Sequence, residues 1–403
     1  MTLPRARFAR TARSLALVLA AFLVVDLLVA PWLLREGRIG VHALPPHGTT
    51  LDSEQWGEVR RRRAALDNEL RGATTPFDAE LGWVALPQPP DANPRRFNAL
   101  AARGPRDYAD AKPAGALRIV SFGDSFTYGA EVPWDASWQA QLEMLESEWE
   151  VPNFGVNGYG TDQALLRFRR VGALDADVVC IGLMLDNIGR NVNRYKPCLA
   201  TLGGSPAAKP RFRIENGALE VLPAGFASER ELLDAILEGS VARRLREREF
   251  WADPDLPDWL WHSTAVRLGV LANERGRRNH RTLWLDANGE PLQLTLAILE
   301  SFHREALAAG ARAAPVLIWP SRPDFTGALI RGDRYWQAPL VDALAARGIP
   351  CLDLSLALGA AATSKRVLDI DSLFQNMHLS RAGNAVVARE VQRWIRAQGL
   401  APR

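Results

Sequence analysis

The stretch Leu117-Arg118-Ile119-Val120-Ser121-Phe122-Gly123-Asp124-Ser125-Phe126-Thr127-Tyr128-Gly129 decides how this chain is read. Leu117 to Phe122 is an apolar run with the length and composition of a buried strand. Gly123 to Gly129 then breaks the pattern with a serine between two glycines. At the C-terminal tip of a strand such a turn exposes a hydroxyl, and the N–H groups that follow it can face a developing oxyanion. Gly, Asp and Ser are also ordinary turn formers. The tripeptide alone therefore decides little, and the segments downstream carry the argument.

Three of them follow in order. Asn153-Phe154-Gly155-Val156-Asn157-Gly158 ends a second predicted strand. Leu185-Asp186-Asn187-Ile188 follows a third, Asp177 to Gly182. Near the C-terminus, Gln375-Asn376-Met377-His378-Leu379-Ser380 carries the one late histidine. Together with Gly123-Asp124-Ser125 these segments resemble the four blocks of the SGNH/GDSL hydrolase superfamily: a GDS serine, an oxyanion glycine, an oxyanion asparagine and a late D-x-x-H. The resemblance spans about Leu117 to Ile395, interrupted by a long insertion. It implies a serine ester hydrolase that needs no cofactor and no metal, with Ser125 as nucleophile and His378 as its base. The Ser125 N–H, the Gly158 N–H and the Asn187 side-chain amide would form the oxyanion hole. Gly158 lies five residues after Asn153, as in the family's N-x-x-x-x-G, with Gly155 as the runner-up. In the third block only Asn187 can donate an amide hydrogen, because an ionised Asp186 can only accept.

The fourth block departs from the family. Its D-x-x-H is here Gln375-x-x-His378, and a glutamine can orient an imidazole without supplying charge. In serine proteases, replacing the carboxylate by an amide costs about 10⁴ in kcat. Three readings stay open. A Ser125–His378 dyad works with a backbone carbonyl as orienter, Asp371 or Asp369 reaches in from the preceding loop, or the site is inactive.

Elsewhere, predicted strands alternate with predicted helices. Strands fall at about 150–156, 178–183, 315–319 and 349–354. Helices fall at about 137–149, 161–171, 294–309, 335–347 and 381–398. That alternation predicts a three-layer α/β/α sandwich, flavodoxin-like, around a parallel five-stranded sheet. The blocks follow strand ends, so they gather at the carboxyl edge, where open α/β sheets bind ligands.

Between the predicted strands at 178–183 and 315–319 lies an insertion far longer than an ordinary loop. It contains a hairpin around Asn216-Gly217, helical pieces over 227–248 and 264–279, and the aromatics Phe250, Trp251, Trp259 and Trp261. These aromatics supply a small core or a stacking surface for a sugar or an acyl group.

At the other end, Ser14 to Leu34 is long enough to cross a hydrocarbon core of about 30 Å. Arg5, Arg7, Arg10 and Arg13 precede it, which places the N-terminus in the cytoplasm and the rest outside. Leu28-Val29-Ala30-Pro31 is a poor cleavage site, so an uncleaved anchor is expected rather than a signal peptide. Asp26 interrupts the apolar run. Either the surrounding Leu and Val tolerate it, or it pairs with a partner helix.

The expected division is a basic tail (1–13), an anchor (14–34), a linker and stalk (35–115), a first part of the hydrolase domain (116–196), the insertion (197–293) and the remainder (294–403). The run Arg60 to Arg63 reads as a solvated helix face or a contact for anionic lipid.

Composition limits the alternatives. The 403 residues are 47% hydrophobic, ample for a core, and carry 49 basic and 46 acidic side chains. No basic stripe interleaved with aromatics suggests nucleic acid. Three cysteines are too few for a disulfide framework, although Cys198 and Cys351 could pair in an oxidising compartment. The expected partners are thus an ester-bearing small molecule or saccharide and, through the N-terminal helix, a membrane. The competing reading is an inactive envelope protein that binds or assembles polysaccharide.

Overall fold

The computed structural model describes residues 3–34, 38–39, 42–43, 51, 53–67, 76–92, 96–199, 205–245, 249–251, 260, 263–274, 280–332, 336–363 and 368–402. The chain divides into two compact units. One contains residues 73–192, 210–224 and 279–403, and the other contains residues 1–72, 193–209 and 225–278. Trp259, Trp261, His262, Asn93 to Arg95 and most of residues 35–50 lie outside the described residues.

The larger unit holds the sheet. Its strands are β1 (Leu117–Gly123), β2 (Trp149–Glu150), β3 (Asn153–Gly155), β4 (Val178–Met184), β5 (Val316–Trp319) and β6 (Cys351–Asp353). They run parallel in the order β6-β5-β4-β1, with β2 and β3 both pairing with β1. The sheet therefore has five positions, as the sequence predicts, but the outer one is shared. The single strand expected over 150–156 is broken at Val151-Pro152, because proline has no N–H to give the ladder. The Pro152 carbonyl still accepts from the Ser121 N–H at 3.1 Å.

β1 and β4 are buried along their whole length, as parallel strands covered on both faces must be. Alternation along β1 sorts its side chains. Leu117 and Ile119 join Trp138, Leu142, Leu358, Val387 and Ile395 in one cluster, beneath the helices Trp138–Leu145, Leu354–Thr363 and Arg381–Ala397. Phe122 points the other way and meets Phe154, Phe168 and Phe302, with ring centroids 5.3, 5.5 and 6.3 Å away. Phe168 and Phe302 come from the helices Thr161–Val171 and Glu290–Ala308. The result is a three-layer α/β/α sandwich.

The chain before β1 is tied to this sheet. Arg118, fully buried, bonds Glu150 and donates to the carbonyls of Ala109 (2.8 Å) and Asp110 (3.0 Å). The hairpin around Asn216-Gly217, with strands Arg211–Glu215 and Ala218–Leu222, also belongs to this unit.

The smaller unit is helical. A continuous helical run from Leu3 to Leu33 contains a five-residue π-helical turn, Val25–Val29, and the part Arg13–Leu33 is long and apolar enough to cross a membrane. In the helix Ser53–Asp67, Arg62 and Arg63 bond Glu229 (2.7 Å) and Asp234 (2.5 Å) of the helix Glu229–Leu237. Half of the arginine run is thus engaged by protein. The helix expected over 227–248 is interrupted before Val241, where Gly239 adopts φ +71°. Trp251 is buried against Phe250, which fits the small-core reading for those two aromatics. Cys180, Cys198 and Cys351 are all free thiols.

Candidate active site

β1 ends in a turn that admits few other sequences. A Cβ on Gly123 would stand 2.2 Å from Thr127 Oγ1, and one on Gly155 would stand 2.3 Å from the Tyr128 backbone nitrogen. Gly155 is paired with Gly123 in the sheet. It therefore lets β3 pass under the serine turn, a steric role rather than an oxyanion one. Asp124 caps the single-turn helix Ser125–Tyr128, its Oδ1 accepting the Phe126 N–H at 2.9 Å. Ser125 is thereby fixed at the first helical position, where backbone N–H groups have no partner inside the helix.

His378 arrives from the far end of the chain. It lies in the short strand His378–Leu379, paired antiparallel with Phe374–Gln375. Its ring packs on Phe126 at 4.9 Å, and its Nε2 lies 2.8 Å from Ser125 Oγ. That distance is a formed hydrogen bond between a hydroxyl and an imidazole.

The other ring nitrogen meets a residue that the sequence does not suggest. Glu131 Oε1 lies 3.2 Å from His378 Nδ1. The ring N–H is not aligned with that oxygen, and Nδ1 makes no regular hydrogen bond, so the carboxylate lies beside the ring without bonding it. Glu131 follows the serine turn directly and holds φ at +68°, a left-handed conformation uncommon for a non-glycine residue. Arg103 holds its loop in place, donating to the carbonyls of Tyr128, Gly129 (2.7 Å) and Val132 (2.5 Å).

The candidate orienters from the fourth block lie elsewhere. Asp371 is 88% exposed and pairs with Arg322. Asp369 accepts from the Ser372 N–H. Gln375 is exposed beside its strand partner His378 and makes no side-chain bond to it.

The oxyanion candidates sit on loops after β3 and β4. Gly158 adopts φ +80°. Its loop is braced by the Trp83 indole N–H on the Asn157 carbonyl (3.0 Å) and by the Tyr159 hydroxyl on the Trp83 carbonyl (2.5 Å). Asn187 is fully buried. Its Oδ1 accepts the Met184 N–H at 2.5 Å, and its Nδ2 donates to the Tyr159 carbonyl at 3.0 Å. The asparagine block is thus tied to the glycine loop.

Arg190 joins the same three segments. Its guanidinium reaches the Tyr159 carbonyl (3.0 Å), Asp124 (3.5 Å) and Asp186 (3.8 Å). Burial pushes the Asp124 carboxyl above its ordinary range, and Arg190, the Phe126 N–H, His378 and Asn187 oppose that shift. Asp186 has a further partner in His280, whose Nδ1 is 2.8 Å from Oδ1. Burial works to raise the Asp186 carboxyl, but His280 and Arg190 outweigh it and hold the group below the usual carboxylate range.

One hydroxyl, one imidazole, the glycine loop and the asparagine block thus gather at the carboxyl ends of adjacent parallel strands. Such a gathering is what the resemblance to the SGNH/GDSL hydrolase superfamily implies. No sequence family matches the chain, and no curated protein matches it. Solved structures similar to it include a lipolytic G-D-S-L family protein from Veillonella parvula (12% identity, TM-score 0.32, covering 69% of this chain and 97% of that one). Another is LAE5, described as an alpha/beta hydrolase from the metagenome of Lake Arreo, Spain (11%, TM-score 0.36, 72% and 98%). A third is a catalytic mutant of Axe2, an acetylxylan esterase from Geobacillus stearothermophilus (11%, TM-score 0.31, 70% and 95%). Likeness at this level assigns no substrate; the functional reading rests on the site itself.

Proposed function

We propose that this chain is a serine ester hydrolase of the SGNH type, anchored by its N-terminal helix and acting outside the cytoplasm on acylated saccharides of the cell envelope. The observation that carries the enzymatic part is the 2.8 Å bond between Ser125 Oγ and His378 Nε2, with the Glu131 carboxylate beside Nδ1. Ser125 Oγ attacks the acyl carbon as its proton passes to Nε2. Glu131 stabilises the imidazolium so formed. The N–H groups of Ser125 and Gly158 receive the negative charge on the carbonyl oxygen, and the buried Asn187 amide holds the glycine loop in place for them. The tetrahedral centre then expels the alkoxide, which takes the proton from His378 and leaves an acyl-serine. Water, deprotonated by His378, releases the acid and restores Ser125. A sugar hydroxyl in place of that water would make the same site an acyl transferase.

The inactive-scaffold reading drew its support from Gln375. Glu131 supplies the charge that Gln375 lacks, and this favours the active reading. Two features support a saccharide ester: the polar His280–Asp186 pair at the same sheet edge, and an anchor that confines the domain to the envelope. The N-terminal arginines support an extracytoplasmic location through the positive-inside rule.

A fluorophosphonate probe tests the chemistry. Wild type should label and Ser125→Ala should not. A folded wild-type chain that never labels would refute the enzymatic reading.

A further inference from the structure

We propose that the helix Thr264–Glu274 of the insertion is itself seated in the lipid bilayer, docked on the N-terminal span through Asp26. This rests on the reading of Arg13–Leu33 as a membrane span.

An ionised carboxylate in an apolar span is costly, and such residues face protein partners rather than lipid. Asp26 has one: its Oδ1 accepts the Ala265 N–H at 2.8 Å. Ala265 is the second residue of the eleven-residue helix Thr264–Glu274. Its N–H belongs to the first turn, where backbone donors are free and the helix dipole favours an anion.

Burial along the span is one-sided. Ala30 is buried, and Val25, Asp26 and Val29 are half-buried, which are neighbouring positions on one helical face. Leu27, Leu28 and Trp32 on the remaining surface are 68%, 71% and 82% exposed. One stripe of the span is thus covered by protein and the rest is open to lipid. The π-helical turn Val25–Val29 contains Asp26, and such turns re-aim a side chain where a function requires it.

Depth follows from the rise of a helix. Asp26 precedes Leu33, the end of the span, by seven residues, or about 10 Å at 1.5 Å per residue. Half of a hydrocarbon core is about 15 Å, so the first turn of Thr264–Glu274 meets Asp26 inside the apolar layer. Its sequence, TAVRLGVLANE, suits that depth. Ala265, Val266 and Leu268 are apolar, and Arg267 is half-buried rather than exposed to lipid. The contact also bears on processing. A leader removed after export would take the acceptor of the Ala265 N–H with it, so the docking requires that the span be retained.

The test uses the full chain in membranes, with the three cysteines replaced by serine. A nitroxide on Gly269→Cys reports depth, because nothing lies within 4 Å of a Cβ there. Collision with oxygen should exceed collision with a water-soluble nickel chelate several-fold. A label on Gly217→Cys, at the hairpin turn, should show the reverse. Asp26→Cys with Ala265→Cys should cross-link on oxidation, and Leu28→Cys with Ala265→Cys should not. A chain that stays in the membrane while its residue-269 label follows the nickel chelate overturns the docking alone. A mature chain that lacks residues 1–30, or that washes off the membrane, overturns the span and the docking together.

Discussion

Glu131→Gln is the substitution on which the catalytic reading depends most. It keeps the shape of the side chain and removes the charge beside His378. At 3.2 Å, a unit pair is worth about 5 kcal/mol at an effective dielectric of 20 and about 1.3 kcal/mol in bulk water. The two side chains are 20% and 27% exposed, which places the site between those limits. With about 1.4 kcal/mol per tenfold in rate, the loss should be about 10²–10³ in kcat. It should fall short of the loss of an aligned carboxylate in a serine protease, because the ring N–H does not point at Oε1 here. KM should change little, since Glu131 acts through His378. The assay is steady-state hydrolysis of a small aryl acetate by the full chain in detergent, backed by the rate of fluorophosphonate labelling. Asp371→Asn, removed from a solvent-exposed pair with Arg322, should match wild type. Glu131→Gln within threefold of wild type, with Asp371→Asn strongly impaired, would refute the argument. Glu131→Asn adds a check of opposite sign. Asparagine tolerates the left-handed conformation better, so stability should rise by up to about 1 kcal/mol while activity falls.

Three further outcomes follow from the same geometry. Arg190→Met leaves Asp124 buried without its countercharge and unties the glycine loop; it should lower the unfolding free energy by about 3 kcal/mol, and Arg190→Lys should recover part of that in denaturant titrations followed by tryptophan fluorescence. Gly155→Ala forces a Cβ onto the Tyr128 backbone and should cost about 3 kcal/mol or more, whereas Gly332→Ala, with open space around it but a left-handed backbone, should cost only about 1–2 kcal/mol. Asp124→Asn keeps the helix cap and removes a buried charge. Because burial raises the Asp124 carboxyl, the folded state holds its proton to higher pH than the unfolded state, and wild-type stability falls as pH rises from about 4 through the raised value. The advantage of Asp124→Asn over wild type should therefore grow across that window and then level off, and an advantage independent of pH between 4 and 8 would contradict the assignment.

The parts of this protein that were legible in its sequence are those whose physics is local. β1 and β4 are covered on both faces, so they read as continuous apolar runs. The helix Thr161–Val171 lies where the sequence places it. Pro152 marks where the edge strand must break, since it lacks a donor. The carboxylate proposed to act on His378 has no such local signature. The family spacing directs attention to position 375, yet Gln375 turns to solvent while Glu131, 247 positions before His378, comes within 3.2 Å of it. Nothing in Gly129-Ala130-Glu131-Val132-Pro133 announces a left-handed residue. That conformation persists because Arg103 grips three carbonyls around it, and strain of this kind survives only where the surroundings over-determine it. Arg103 belongs to the segment that the sequence presents as a stalk. That segment also sends Trp83 to the glycine loop. The chain ahead of the sheet thus braces the orienting carboxylate on one side and an oxyanion loop on the other. A domain cut to begin at β1 would keep Ser125 and His378 and lose the braces of Glu131 and of the Gly158 loop.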